Sequence, residues 1–511
     1  MSSPHSSEQT TNTSKHLDDF GLLLREDGYV DWKPDEKKHP RYWSFSKKTY
    51  NAFLLCFFEF WMTAISSSGT AASQTGRMEY ELSRTVGYLV FTSLYLLGQA
   101  SGSIFCSPIS ETFGRRTLYI ASLAVYCIFC AIVAAVPSSI AVGFGRFITG
   151  FASAIPATVA FGSFDDLYDP GTRIWVVYIY TFMGNMGLVL GPIFSAYVSE
   201  YAGWRWVFYI STIVSGVGLV ASIFLHESRP GYLLELKVAS VKAATREDAN
   251  LRVPEKKHIT FQAFVQQALY RPLLFLVTEP IVICCAVLMT ISFSLIYGLT
   301  EGLTVVYTLF GFNESTTSSL AFIPLLIGLI LNVVPRFYDH KINIRAKEQN
   351  VTLHAEIKAR SLVTACPALA VGLWLFAWTI PPLVPNVHWI VSMLGLLLVG
   401  YATNDLSYIL FGYLTDTYGA YAASACSALS LSRTIMAAVF PLFTYNMYSG
   451  LGGNKATSIF ASIATVFCIT PVLFLHYGKS LRRMSRFARN AEDAGKEDEE
   501  VARKERQSEN D

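Results

Sequence analysis

Charge is scarce in this chain. Asp, Glu, Lys and Arg make up 15% of it, well below the roughly 25% of a soluble domain. Long stretches carry almost none, while both tails and one central segment are crowded. The formal net charge is only +2, so nucleic acid is excluded as a partner. None of the nine histidines lies deep in an apolar run, and His388 and His476 stand near the ends of such runs. A proton relay must therefore use carboxylates, which burial shifts upward and a nearby arginine shifts downward. All nine cysteines fall in or beside apolar runs, and the C-x-x-C of Cys127 and Cys130 has no second pair near it. They read as packing residues, so no metal and no cofactor is expected. No nucleophile–base set or phosphate loop stands out, which argues against an enzyme. The opening MSSPHSSEQTTNTSKHLDD has no apolar core, so the first span is expected to act as the insertion signal.

What the chain has instead is long apolar runs, with 52% of residues hydrophobic. A helix needs about 20 such residues to cross about 30 Å of hydrocarbon. Twelve runs qualify, and the fold class is all-α membrane protein with twelve transmembrane helices in two six-helix bundles. The expected spans are Tyr50–Ala71, Val86–Cys106, Thr117–Val136, Ile140–Ser163, Ile174–Val198 and Arg205–Leu225, then Leu273–Leu299, Leu320–Phe337, Ser361–Ile380, Trp389–Phe411, Ala425–Tyr445 and Ala456–Tyr477. They divide the chain into a tail (1–48), a bundle (49–225), a central loop (226–271), a second bundle (272–478) and a tail (479–511). The central segment is expected to hold a helix lying on the membrane surface, and the last tail to be disordered. Lysine and arginine counts place both termini in the cytoplasm: only about four cations, Arg77, Arg84, Arg205 and Lys455, then face outward. Asn313-Glu-Ser315 falls outside, where Asn313 can carry a glycan.

Between spans 2 and 3 lies a tight charged hinge, SPISETFGRR from Ser107. Gly114 supports a positive φ there. Glu111 can pair with an arginine or cap a helix, while Arg115 and Arg116 hold the headgroup level. The loop after span 8, PRFYDHK, sits in the corresponding place and pairs Asp339 with Lys341. Two parallel six-span halves around a midplane site form a common transporter plan.

A charge inside a span costs at least about 2.5–3.5 kcal/mol and marks a candidate site. Five stand out: Glu59, Arg146, Glu279, Asp405 and Arg433. Glu59 lies roughly 14 Å into its span, near mid-bilayer. Glu59, Arg146, Glu279 and Asp405 occupy spans 1, 4, 7 and 10, the first helices of four three-span units, and are expected to line one cavity. Glu279 precedes Pro280, a pair that also suits a kink. Phe57, Phe60, Trp61, Tyr297, Tyr401 and Tyr408 fall near that cavity. In span 5, Gly187 and Gly191 form a Gly-x-x-x-Gly before Pro192, which suits close helix approach and a bend.

These residues resemble a known family. Ser107–Arg116 resembles the loop signature of the major facilitator superfamily, with Ser107 in place of the usual glycine and Glu111 in place of aspartate. Arg146–Gly150 resembles its fourth-span arginine motif. Gly187–Pro192 resembles its fifth-span antiporter motif, although Ser195 and Ala196 replace the closing glycines. VDW and HPRYWSFSKK, GWRWVFYI at Gly203, ESRPGYLLELK at Glu227, RPLLFLVTEP at Arg271, YLTDTYGAYAASA at Tyr413 and FPLFTYNMYSGLG at Phe440 resemble the fungal twelve-span drug:proton antiporters. The resemblance implies alternating access. It implies that Glu111, Arg115 and Asp166 form a cytoplasmic latch with Gly114 and Arg116, that Arg146 aids proton transfer, and that span 5 stops leak. The expected protein is a monomeric, proton-coupled exporter of small organic compounds in the plasma membrane, its partners being a small-molecule substrate, protons and the lipid bilayer. The alternatives are a transporter of one metabolite, such as a polyamine or organic acid, and a non-transporting sensor, which the short tails disfavour. A sugar porter is disfavoured because no second Gly-Arg-Arg follows span 8.

Overall fold

The structure is a computed structural model that describes residues 17, 20–24, 29–33, 36–245, 266–313, 316–348, 359–384, 387–485 and 487–489. The expected disorder of the last tail falls on residues that lie mostly outside this set. Among the described residues, twelve helices are long and apolar enough to span a membrane. Spans 1 to 6 are Phe45–Glu79, Arg84–Cys106, Arg115–Ala135, Ser139–Leu167, Gly171–Tyr201 and Trp204–Ser222. Spans 7 to 12 are Pro280–Thr308, Thr317–Ile342, Leu362–Thr379, Trp389–Tyr418, Ser424–Leu451 and Gly453–Gly478. Helices satisfy their own backbone groups, which hydrocarbon demands. An even number of spans puts both ends of the bundle on one face, called here the terminal face.

The spans pack as two bundles. One hydrophobic core is built almost wholly from spans 7 to 12, around Met289, Leu325, Leu373 and Leu406. Another gathers Leu55, Tyr95, Tyr126 and Phe164 from the first six spans, joined by Phe293, Tyr297 and Ala438 of the others. The bundles share a packing device. A Cβ on Gly98 of span 2 would strike the Phe147 carbonyl of span 4, and one on Gly150 would strike Tyr95. Gly328 of span 8 meets the Leu397 carbonyl of span 10, and Gly400 meets Leu325, in the same reciprocal way. Bare faces let the helix backbones touch at these points.

Several boundaries differ from the hydropathy reading. Span 7 does not start at Leu273. Arg271–Thr278 is a separate short helix, and Glu279 is extended at φ −101° and ψ 104° before Pro280 opens the span. Proline pushes its predecessor out of the helical region and is itself at home in a first turn. Span 7 also continues past Leu299 to Thr308, which carries Glu301 inside it. Span 8 continues past Phe337, because Asp339 pairs with Arg336 one turn back at 2.8 Å rather than with Lys341.

The central segment also differs. Its helix, Pro230–Thr245, does not lie bare on the membrane. Strands β1 (Leu22–Leu24) and β2 (Val30–Trp32) of the N-terminal tail form an antiparallel hairpin. Leu22 and Val30 of this hairpin pack on Leu234, Val238 and Val241 of the helix. Lys237 donates to the Phe20 carbonyl at 3.1 Å and lies 4.1 Å from the Trp32 ring.

Candidate functional site

Glu59 of span 1 is buried near mid-span. The Tyr180 hydroxyl of span 5 donates to its Oε2 at 2.7 Å and lies 2.9 Å from the Pro156 carbonyl of span 4. A phenol has one proton, so it can satisfy one of these acceptors at a time. Arg433 of span 11 supplies the opposite charge on the side of the other bundle. Its guanidinium lies 4.5 Å from the Phe293 ring and 5.4 Å from Phe411. Phe161 closes the circuit. It meets Tyr180 edge-on at 5.3 Å and stacks on Phe411 at 5.4 Å. An acid of one bundle and a base of the other are thus joined through rings at the centre of the molecule.

The remaining in-span charges do not share this site. Arg146 is fully buried within the first bundle. Its Nε donates to the Phe91 carbonyl at 2.7 Å, and Nη2 to Ile65 and Ser66 at 3.3 Å each. Phe91 lies in a π-helical turn, Leu89–Ser93, a local form frequent at functional sites. Tyr95 and Phe208 rings flank the guanidinium at 4.4 and 5.3 Å. Asp405 is held inside the second bundle by Arg336, at 2.5 Å. Glu279 accepts from Tyr418 at 2.9 Å at the break before span 7. Glu59, Arg146, Glu279 and Asp405, expected to line one cavity, each have partners of their own and lie at different depths. Arg146 stands four residues before Gly150 and Asp405 five after Gly400, an offset of about 14 Å along matched helices.

At the hinge, Gly114 has φ 80°. Arg115 crosses Gly162 to pair with Asp166 at 3.0 Å. A further carboxylate joins the hinge. Glu227, after span 6, accepts from the backbone N–H groups of Arg115 and Arg116, both at 3.0 Å. It thus caps the N-terminus of span 3, where a carboxylate is favoured. The side chain of Glu111 lies outside the described set. Arg116 donates to the Ile223 carbonyl at 2.7 Å. In span 5, Gly187 sits on the Phe60 carbonyl and Gly191 on Ala64, which seats the span on span 1, and Pro192 lies within the helix. Asn313 is exposed, and residues 314 and 315 of its sequon lie outside the described set. Of the aromatic candidates, Tyr297 bonds Ser66 across the bundles at 2.7 Å and Tyr408 meets Tyr178 at 5.9 Å. Trp61 instead packs on Phe194 within the first bundle.

The bundles meet on both sides of Glu59. Toward the terminal face, Trp175 donates to His340 at 3.1 Å, and level with Glu59, next to Gly184, Asn185 donates to Asn404 at 3.0 Å. Asn404 in turn donates to Asn332 at 2.9 Å. Toward the opposite face, Thr300 meets Thr70 at 3.2 Å and Ser93 donates to the Ala438 carbonyl at 2.6 Å. Tyr180, Arg336, Glu227 and the three asparagines escaped the sequence reading. An uncharged residue inside an apolar run gives no signal of its partner, and Arg336 stood at the edge of its expected span.

The Major Facilitator Superfamily profile matches residues 50–441. The MFS-type efflux pump MFS2 of Trichophyton rubrum is 32% identical over 91% of this chain and 78% of its own. The efflux pump radE of Floropilus chiversii is 28% identical over 91% and 86%. The ascochitine biosynthesis cluster MFS transporter of Didymella fabae is 30% identical over 94% and 93%. Among solved structures, the proton:xylose symporter XylE matches with a TM-score of 0.56 at 15% identity, over 85% of this chain and 97% of that one. At that identity the likeness concerns the fold alone.

Proposed function

The chain belongs to the major facilitator superfamily, a family of membrane transporters rather than enzymes, and from that membership we propose that it exports small organic compounds in exchange for protons. The observation that carries the proposal is the Glu59–Tyr180 pair, joined through Phe161 and Phe411 to Arg433 of the other bundle. With Glu59 ionised, the Tyr180 hydroxyl donates a hydrogen bond to it and Arg433 attracts it from the other bundle. With Glu59 protonated, the acid can donate to Tyr180, which turns to the Pro156 carbonyl. Arg433 then loses its counter-charge, and the attraction across the midplane falls. Proton binding is in this way coupled to the separation of the bundles. Arg115, Asp166 and Glu227, all of the first bundle, act as a latch that braces the terminal face of that bundle. The positive bias of that face favours the cytoplasm. The names of the relatives from Trichophyton rubrum, Floropilus chiversii and Didymella fabae support export of a drug or secondary metabolite, and the exporter proposed here is a monomer of the plasma membrane. A transporter of a single organic acid is the second possibility. It is favoured by Arg433, which is half-buried and has a buried Nε with no hydrogen-bond partner.

The test compares cells lacking and overproducing the protein on a panel of toxic compounds, with efflux then measured with and without a protonophore. Lower accumulation that depends on the proton gradient is expected. Accumulation that rises with expression would overturn export. Efflux indifferent to the protonophore would overturn coupling.

A further inference from the structure

Hydropathy left Arg84 in an outer loop and Glu301 beyond the end of span 7. The fold brings them together from opposite bundles. Arg84 begins span 2, and its Nη2 donates to Glu301 Oε2 at 3.3 Å. Glu301 is wholly buried, while Arg84 retains 21% exposure. Span 11 supplies a second hold, since the guanidinium lies 3.3 Å from the centre of the Tyr445 ring. The Tyr88 hydroxyl accepts from Arg84 Nε at 3.3 Å, one turn along the same helix. Directly beneath, Thr300 meets Thr70, and Tyr297 meets Ser66. One arginine of the first bundle is therefore clamped by two spans of the second, above a polar seam.

We propose that Arg84 and Glu301 form the lock of the opposite face, the counterpart of the Arg115–Asp166 latch at the terminal face. The energetics suit a lock that must open. A buried ion pair gains little over its own hydration. When the bundles part at this end, water reaches both groups, so releasing the pair is nearly balanced. Removing one partner alone has a different effect. The remaining charge is then stranded in the closed form and hydrated in the open one, which favours opening. Mutation of either residue is thus expected to shift the conformational balance rather than to remove a substrate contact. The proposal rests on the proposed rocking apart of the two bundles and on the cytoplasmic terminal face, and so it places the opposite face outside.

The experiment places a cysteine behind the lock, Thr70→Cys, and follows its labelling by a membrane-impermeant maleimide on intact cells. The chain with its nine native cysteines serves as the background. Slow labelling is expected with the lock intact. Adding Glu301→Gln should raise the rate at least about tenfold. The exchanged pair, Arg84→Glu with Glu301→Arg, should return it toward the slow value. Equal rates with Glu301 and with Gln would overturn the lock, as would an exchanged pair as fast as the Gln variant. If Glu301→Gln fails to reach the membrane, Arg84→Lys serves. It keeps the charge but loses the planar stacking on Tyr445, so its rate should be intermediate, and an unchanged rate would count against the lock. Labelling needs no transport, so a lock that behaves as described beside proton-independent efflux overturns the coupling alone. A rate increase seen only in inverted vesicles overturns the assigned orientation and leaves the lock standing.

Discussion

Tyr180 shows how much can depend on one proton. Its hydroxyl stands between a carboxylate and a backbone carbonyl and can serve one of them. Glu59→Gln keeps the shape but cannot ionise. It is expected to reach the membrane at normal levels and to lose proton-dependent transport, and unchanged proton dependence would reject the role of Glu59. Tyr180→Phe removes the donor and leaves the carboxylate less stabilised when charged, so the acid holds its proton more tightly. The pH at which transport is half-maximal should then move upward, as measured in vesicles across a pH series. Arg146 has a different place. Three backbone carbonyls and two rings surround it, all from its own bundle. Hydrogen bonds to a charged group contribute about 1.5–3 kcal/mol each, so Arg146→Ala should lower the thermal unfolding temperature in detergent. Normal stability there would contradict the bracing role.

Among the elements, span 5 depends on spans 1 and 4. A Cβ on Gly191 would collide with the Ala64 carbonyl, and backbone cannot move aside cheaply. Gly191→Val is expected to destabilise by about 1–3 kcal/mol and to disturb Tyr180 in the same span. A chain that melts normally and transports normally would show that the spans can slide apart there. The segment after span 6 carries two local features. Glu227 caps span 3, and His226 packs edge-on against Trp43 at 5.8 Å. Burial, then Lys47 and Arg116, hold the His226 imidazole below its usual 6.5. A lowered pKa means the contact is fully present above about pH 6.5 and weakens as pH falls toward the folded value. The ring is exposed, so the effect is small. Mild acid should speed proteolysis of this linker, and His226→Gln should flatten that dependence.

For the whole molecule, the question is what keeps two bundles together while letting them rock. Contacts lie on both sides of the central pair, so each face has its own closure. Arg115→Ala removes the side chain that spans from the hinge to Asp166, leaving a largely buried carboxylate without its cation. Transport should fall several-fold while the protein stays in the membrane, and normal turnover would remove the latch.

Twelve spans, their division into sixes, the turn at Gly114 and the close seat of Gly187 and Gly191 could be read from the chain alone. Apolar length, glycine and proline act within a few residues, so they report locally. Which charge meets which partner could not be read. Arg146 is held by carbonyls of spans 1 and 2, Asp405 pairs with Arg336 two spans earlier, and Glu301 with Arg84 in the other bundle. Hydropathy therefore stopped span 7 before Glu301, because a lone carboxylate would be too costly inside the membrane. The tertiary structure supplies the partner, and the cost of burying a charge depends on that partner rather than on sequence neighbours.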